Sequence, residues 1–144
     1  MSLRPSACGT QIEHPALPYV LALLESMRLK EMSSFARCFD LDGSPFLDTL
    51  PGGVQIRSAR ELVKKHEEFF GSSIASFTYQ GPQDLLTGES FFICSVPASV
   101  VRPNGSHAEI YLDLTFIKWA GRDPEWVPVR FINTVVDCGQ VVIH

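Results

Sequence analysis

Apolar residues change their spacing once along this chain, near Ile74. Before that point they recur at three- and four-residue intervals, and after it they alternate. The first period belongs to helices with one buried face and the second to half-buried strands. Leu17, Val20, Leu21, Leu24, Met27 and the stem of Arg28 form one stripe, which predicts a helix over 16–29. Pro15 and Pro18 fall at its start, where a missing N–H is tolerated. Met32, Phe35, Ala36 and Phe39 predict a second, shorter helix, stopped by the turn residues Asp40-Leu41-Asp42-Gly43. A brief strand over 45–49 leads into the turn Leu50-Pro51-Gly52-Gly53.

The third helix is the clearest. Ser58-Ala59-Arg60-Glu61 reads as a capping box, with Ala59, Leu62, Val63, His66, Phe69 and Phe70 on one face and Gly71 as a left-handed stop. Strands are then expected over 76–80, 90–101, 108–119 and 126–137, separated by Gly81-Pro82, Pro103-Asn104-Gly105 and residues 121–124. Pro97 and Pro128 interrupt two of these runs, and each predicts a bulge or an edge position. Alternation in the third strand puts Ile110, Leu112, Leu114 and Phe116 on one face and Glu109, Tyr111, Asp113 and Thr115 on the other. The apolar face should meet the helices. The prediction is an α+β fold in which three N-terminal helices cover an antiparallel sheet.

Composition narrows the function classes. The chain has 144 residues, enough to bury one core, and we read a loose arm over 1–14 followed by a single domain over 15–144. A net charge of −4 without a Lys/Arg stripe argues against nucleic-acid binding. No apolar stretch is long enough to span a bilayer, and residues 1–18 lack the apolar segment of a secretion signal. Cys8, Cys38, Cys94 and Cys138 are scattered without a CxxC pair, which suits small thiols in a reducing, cytoplasmic compartment. No residues show metal-ligand spacing, and there is no phosphate-binding Gly loop or nucleophile elbow, so neither metal nor cofactor is expected.

Three segments carry a resemblance. Phe35-Ala36-Arg37-Cys38-Phe39-Asp40-Leu41-Asp42 looks like the end of a second helix in the nuclear-transport-factor-2-like superfamily. Phe46 to Gly53, running into the capped helix, is a second, and Trp126-Val127-Pro128-Val129-Arg130-Phe131-Ile132-Asn133-Thr134 is similar to the last strand. Within that superfamily the chain resembles the SnoaL-like and ketosteroid-isomerase-like branch. The resemblance implies a cone-shaped roll: a curved sheet wrapped around the helices, an apolar pocket at the open end, and homodimers that pack through the sheet. Transferred to this sequence, the pocket would take Tyr19, Phe35 and Val63 from the helices. Phe92, Leu112, Phe116, Trp126 and Asn133 would come from the strands. The His that commonly precedes Asn-Thr in the motif is Ile132 here, which removes one polar pocket group.

The resemblance also suggests chemistry. Asp48 stands where the ketosteroid-isomerase branch carries its general base, and desolvation at an apolar pocket mouth would raise its basicity. An Asp before Leu50-Pro51-Gly52 can equally be a turn-capping residue. The tyrosine and protonated Asp that complete that isomerase would fall near Leu24 and Ile110, so the enolate stabiliser is missing and steroid isomerisation is not expected. His66, on the apolar face of the third helix, reads as a pocket base or a hydrogen-bonded core histidine. Asp113 and Arg130 on neighbouring strands read as a structural or interface ion pair, or, if the polar face looks inward, as pocket residues together with Tyr111. Two functions follow. One is a protein that binds a small hydrophobic molecule, with cofactor-free isomerase, dehydratase or cyclase chemistry on Asp48 and His66. The other is a non-catalytic module for homo-oligomerisation or partner binding.

Overall fold

The structure is a computed structural model that describes residues 13–41, 48–50, 54–56 and 58–137, with backbone alone at 48–50, 54, 55 and 137. Helices α1 (Leu17–Arg28), α2 (Met32–Arg37) and α3 (Ala59–Ser72) lie on one face of a curved antiparallel sheet. The strands are β1 (Asp48–Leu50), β2 (Val54–Ile56), β3 (Ser76–Tyr79), β4 (Gln83–Thr87), β5 (Phe91–Val101), β6 (His107–Lys118) and β7 (Trp126–Asp137). The main sheet has the order β3-β5-β6-β7, with β4 also paired to β5. The β1–β2 hairpin sits against β7 on one side and α3 on the other.

Alternation decides which face is buried. On β6, Ala108, Ile110, Leu112, Leu114 and Phe116 point to the helices, while Glu109 and Tyr111 point away. Phe92, Cys94, Val96 and Ala98 do the same on β5. With Leu23, Leu24, Phe35, Leu62, Phe77, Trp126 and Phe131 they form one contiguous core. Each such side chain removed from water contributes ~1.5–3 kcal/mol, more than an exposed ion pair, so burial holds the layers together.

α1 begins with Pro18 in its first turn, as its sequence suggests, but its buried stripe is Val20, Leu23, Leu24, Ser26 and Met27. Leu21, assigned to that stripe from spacing, is 36% exposed, and Leu23 is sealed instead. The helix ends in a Schellman motif: Glu31 N–H donates to the Ser26 carbonyl at 2.9 Å and Lys30 N–H to the Met27 carbonyl at 3.1 Å. Lys30 therefore takes the left-handed conformation, φ 57°, that glycine usually fills. Its Nζ donates to the Ile74 carbonyl at 2.9 Å, which ties the end of α1 to the start of the sheet.

α3 starts at Ser58, whose Oγ accepts from Glu61 N–H at 3.1 Å. The reciprocal carboxylate bond of a full capping box is not formed. Gly71 lies inside the helix, which runs on to Ser72 and ends at Ser73 with φ −116°, so the expected left-handed stop there is corrected. The positive-φ glycines among the described residues are Gly105 and Gly121, both in strand connections.

β4 was not expected. All five of its residues are exposed, so Gln83–Thr87 has no inward position to create an alternating pattern. Pro128 meets the expectation of a bulge, whereas Pro97 lies in a central strand with a regular register to β6 and falls instead between two pairing stretches. The Pro97 carbonyl accepts from Gln80 N–H at 2.8 Å, which puts its missing donor at the crossing from β3 to β4. Pro128 borders the register shift on β7 opposite Thr115 and Phe116. Among the described residues no helix is long and apolar enough to cross a membrane.

Candidate functional site

The C-terminal half of α3 and the inward face of β7 enclose a cleft of about 400 Å³, lined by Lys65, His66, Glu68, Phe69, Ser72, Ser73 and Asn133. Helical spacing builds one wall. His66 lies one turn after Leu62, and Phe69 and Ser73 follow on adjacent turns. Alternation builds the other, because Asn133 is two residues from the buried Phe131 and opposite Leu112. Phe69, placed on the buried face from spacing, is 48% exposed and stands at the cleft's edge.

His66 is the buried polar group of this site. Its ring stacks on Phe35 (5.2 Å, 26°) and Phe70 (6.1 Å, 25°) and meets the edge of Phe131 at 5.0 Å. Nδ1 lies 3.0 Å from the Leu62 carbonyl, which can only accept, so Nδ1 carries the proton. Burial pushes the ring's pKa down to about 4, against the smaller opposing effect of that carbonyl. At neutral pH the ring is uncharged and Nε2 holds a lone pair. A base this weak has little drive to take a proton at pH 7, so its chemistry here is hydrogen bonding. Beside it, the Oδ1 of Asn133 is buried and makes no hydrogen bond within the protein.

The residues assigned to a pocket from the sequence divide in two. Asn133 and His66 meet in this cleft. Phe35, Phe92, Leu112 and Phe116 are 0% exposed, Trp126 is 1% and Val63 is 6%. These six pack against one another in the core, and Tyr19 packs against its edge. The five at 0–1% have a surface closed to a water-sized probe and touch no void that could take a ligand, whereas Val63 is as exposed as His66; an aromatic core forms from the same residue types as an aromatic pocket. The side chain of Asp48 and all of Phe46 lie outside the described residues. The Asp48 backbone pairs with Ile56 in the hairpin against β7.

Asp113 and Arg130 do not form an ion pair with each other. Asp113 is opposite Ile132 and Arg130 opposite Thr115, so the two lie one diagonal apart on the outer face. Among the described residues, a long-range ion pair forms instead at the β6–β7 turn: Arg122 donates to Asp40 at 2.7 Å, its guanidinium 4.7 Å above the Trp119 ring. It borders a more polar groove along α2 and the β6–β7 turn, which presents no buried polar side-chain atom without a partner. No three His, Cys, Asp or Glu side chains among the described residues gather closely enough to hold a metal ion. The Cys94 thiol is buried and pushed up to about 12, and the half-buried Cys38 thiol to about 11, both chiefly by burial.

No protein-family model matches the chain, and neither does any curated protein. Solved structures do. The ketosteroid isomerase-like protein of Erwinia carotovora atroseptica superposes with a TM-score of 0.69 at 13% identity, over 87% of this chain and 99% of that one. A nuclear transport factor 2-like superfamily protein of Salmonella enterica gives a TM-score of 0.66 at 12% identity, over 83% of this chain and 87% of that one. An LEH-like epoxide hydrolase of M. tuberculosis gives 0.62 at 12%, over 87% and 86%. Identities this low speak for a shared fold and leave the reaction to the site. Three helices against a curved antiparallel sheet, with the strand order found here, place this chain in the nuclear-transport-factor-2-like fold.

Proposed function

We propose that this protein binds a small, largely apolar molecule in the cleft between α3 and β7. The observation that carries this reading is the meeting of two polar side chains, the imidazole of His66 with its Nε2 unbonded and the amide of Asn133, in one cleft of about 400 Å³. That volume falls in the range of small-molecule sites, which are mostly apolar with a few convergent polar groups. Phe69 supplies an exposed ring at the rim. The dehydratase, isomerase-like and epoxide hydrolase proteins that share the fold support a small organic ligand. Turnover of such a molecule by isomerisation, dehydration or cyclisation would draw on Asp48 as its base, and Asp48→Asn would then abolish turnover and leave binding intact. The free thiols of Cys38 and Cys94 suit a cytoplasmic setting.

A second reading concerns assembly. The outer face of the sheet carries Ile93, Tyr111, Ile117 and Ile132, and among the described residues the helices pack on the opposite face. A homodimer through this face would bury them. The test of the binding reading is native mass spectrometry of freshly purified protein, followed by denaturing extraction. A retained apolar compound, released from wild type and absent from Asn133→Leu, supports it. Equal retention by both proteins sinks it.

A further inference from the structure

His66 and Asn133 turn opposite hydrogen-bonding senses to the cleft they share. The His66 ring is 6% exposed, and its Nδ1 proton is committed to the Leu62 carbonyl, so Nε2 offers only a lone pair. Nε2 makes no hydrogen bond among the described residues, and it is not sealed: the sealed side-chain polar atom without a partner is Oδ1 of Asn133. With Oδ1 turned into the protein, the other end of that amide, Nδ2, is what Asn133 presents to the cleft. Nδ2 also has no hydrogen-bond partner among the described residues and is not sealed. An amide nitrogen only donates, and an imidazole nitrogen without its proton only accepts. The floor thus holds one free donor beside one free acceptor. Lys65 and Glu68 stand exposed at the mouth with opposite charges, and Ser73 lies half-buried beside them. Water competes for a bond made at the mouth, so selection falls to the two groups at the floor.

We infer that this cleft recognises the edge of a cyclic amide: a neutral lactam fused to a small apolar ring system, its N–H received by His66 Nε2 and its C=O accepting from Asn133 Nδ2. A cis amide carries a donor and an acceptor side by side on one edge, in two separate atoms, so each bond is aimed independently. A hydroxyl has one oxygen for both partners. The lactone of the same shape turns a ring oxygen to Nε2, and two lone pairs then face each other. A carboxylate meets the same opposition, because burial keeps the ring neutral and Nε2 has no proton to give. Sites that leave a buried polar group unpaired reject an analogue far more strongly than sites that lose only apolar contact. The fused ring covers Phe69 at the cleft's edge. This inference rests on the cleft-binding reading above and adds the chemical class.

The test uses four bicyclic probes of nearly equal shape: 2-quinolinone, the lactam; coumarin, its lactone; 2-naphthol; and naphthalene, which neither donates nor accepts. Each is titrated into the full chain while the backbone amides of Phe69 and Ser72 are followed by NMR. The expected result is shifts at those amides and about tenfold tighter binding of 2-quinolinone than of coumarin, the effect of one well-made hydrogen bond. The preference for lactam over lactone should vanish in His66→Phe. Asn133→Leu should weaken 2-quinolinone and coumarin alike, since both lose the donor to their carbonyl, and leave naphthalene unchanged. If none of the four probes moves Phe69 and Ser72, cleft binding itself fails and the inference falls with it. Equal affinity for 2-quinolinone and coumarin, with shifts at the cleft, leaves the cleft reading standing and overturns amide recognition. So does 2-naphthol binding as tightly as 2-quinolinone, or a lactam preference that survives His66→Phe. The wild-type protein offers a check independent of any variant. In the long-range ¹H–¹⁵N spectrum of the His66 ring, the unprotonated Nε2 signal should move with 2-quinolinone and stay in place with naphthalene; a signal that saturating 2-quinolinone leaves unmoved overturns the inference.

Discussion

His66 donates its Nδ1 proton to the carbonyl of Leu62, one turn earlier on α3, while Phe35 and Phe70 stack against its ring. The fold therefore holds this histidine neutral. Its pKa falls from an ordinary 6.5 to about 4 because burial penalises the charged form. A folded-state value below the unfolded one means that the stabilisation is complete above pH 6.5 and is lost as pH falls toward 4. The loss amounts to about 3 kcal/mol. Thermal unfolding measured from pH 7 to pH 4 should show the melting temperature falling across this window, and His66→Phe should flatten that fall. An unchanged slope in the variant would assign it to other groups.

Tyr79 donates its hydroxyl to Glu25, which Arg28 also holds through two hydrogen bonds. The Arg28 guanidinium, and after it the Tyr79 hydroxyl, keep the Glu25 carboxyl at about 2. Burial first, and the Glu25 carboxylate second, push the Tyr79 phenol to about 12. The prediction is that Glu25→Gln lowers the Tyr79 ionisation midpoint without returning it fully to 10, the ordinary value. Ultraviolet titration with a Tyr79→Phe control isolates this phenol, and an unmoved midpoint would show that the contact does not persist in solution.

Arg122 joins the end of α2 to the β6–β7 turn through Asp40 and stacks over Trp119. Arg122→Ala is expected to destabilise the protein by about 1 kcal/mol, the sum of a partly exposed ion pair and a surface cation–π contact. Arg122→Lys should recover only part of it, because an ammonium has no planar face for the indole. Urea denaturation of the three proteins checks the order wild type, Lys, Ala.

Tyr111 sits on the outer face of β6, 40% exposed and paired with Pro97 on one side and Thr134 on the other. If this face joins two copies, wild type has a dimer mass in native mass spectrometry and Tyr111→Glu a monomer mass. A monomeric wild type ends the proposal.

The fold was largely legible because burial leaves a period. Ser58 announces α3, and the inward residues of β5 and β6 alternate as a one-sided sheet requires. β4 was silent for the same reason: an edge strand with every residue exposed has no pattern to read. Leu21 and Leu23 exchanged places because small rotations of a helix move residues at the border of its stripe. The site was harder to read. His66 and Asn133 were each visible as polar residues in apolar surroundings, yet nothing local says that α3 and β7 bring them together. Phe92 and Phe116 looked like pocket residues because an aromatic core and an aromatic pocket have the same sequence. The diagonal offset of Asp113 from Arg130 depends on strand register beside a bulge, which alternation alone does not give.

Pro97 divides one side of β5 into two docking stretches, residues 98–101 for β3 and residues 92–95 for β4. With no N–H of its own, it leaves a gap in the ladder between them. The sheet margin on this side is therefore made of two pieces that can peel away separately. β3 is fastened further by Phe77 in the core and by the Tyr79–Glu25 contact, whereas β4 has only exposed side chains. In native-state hydrogen exchange, amides bonded across to β4 should open at lower free energy than those bonded to β3. The order in which this margin frays is thus written into a single imino acid.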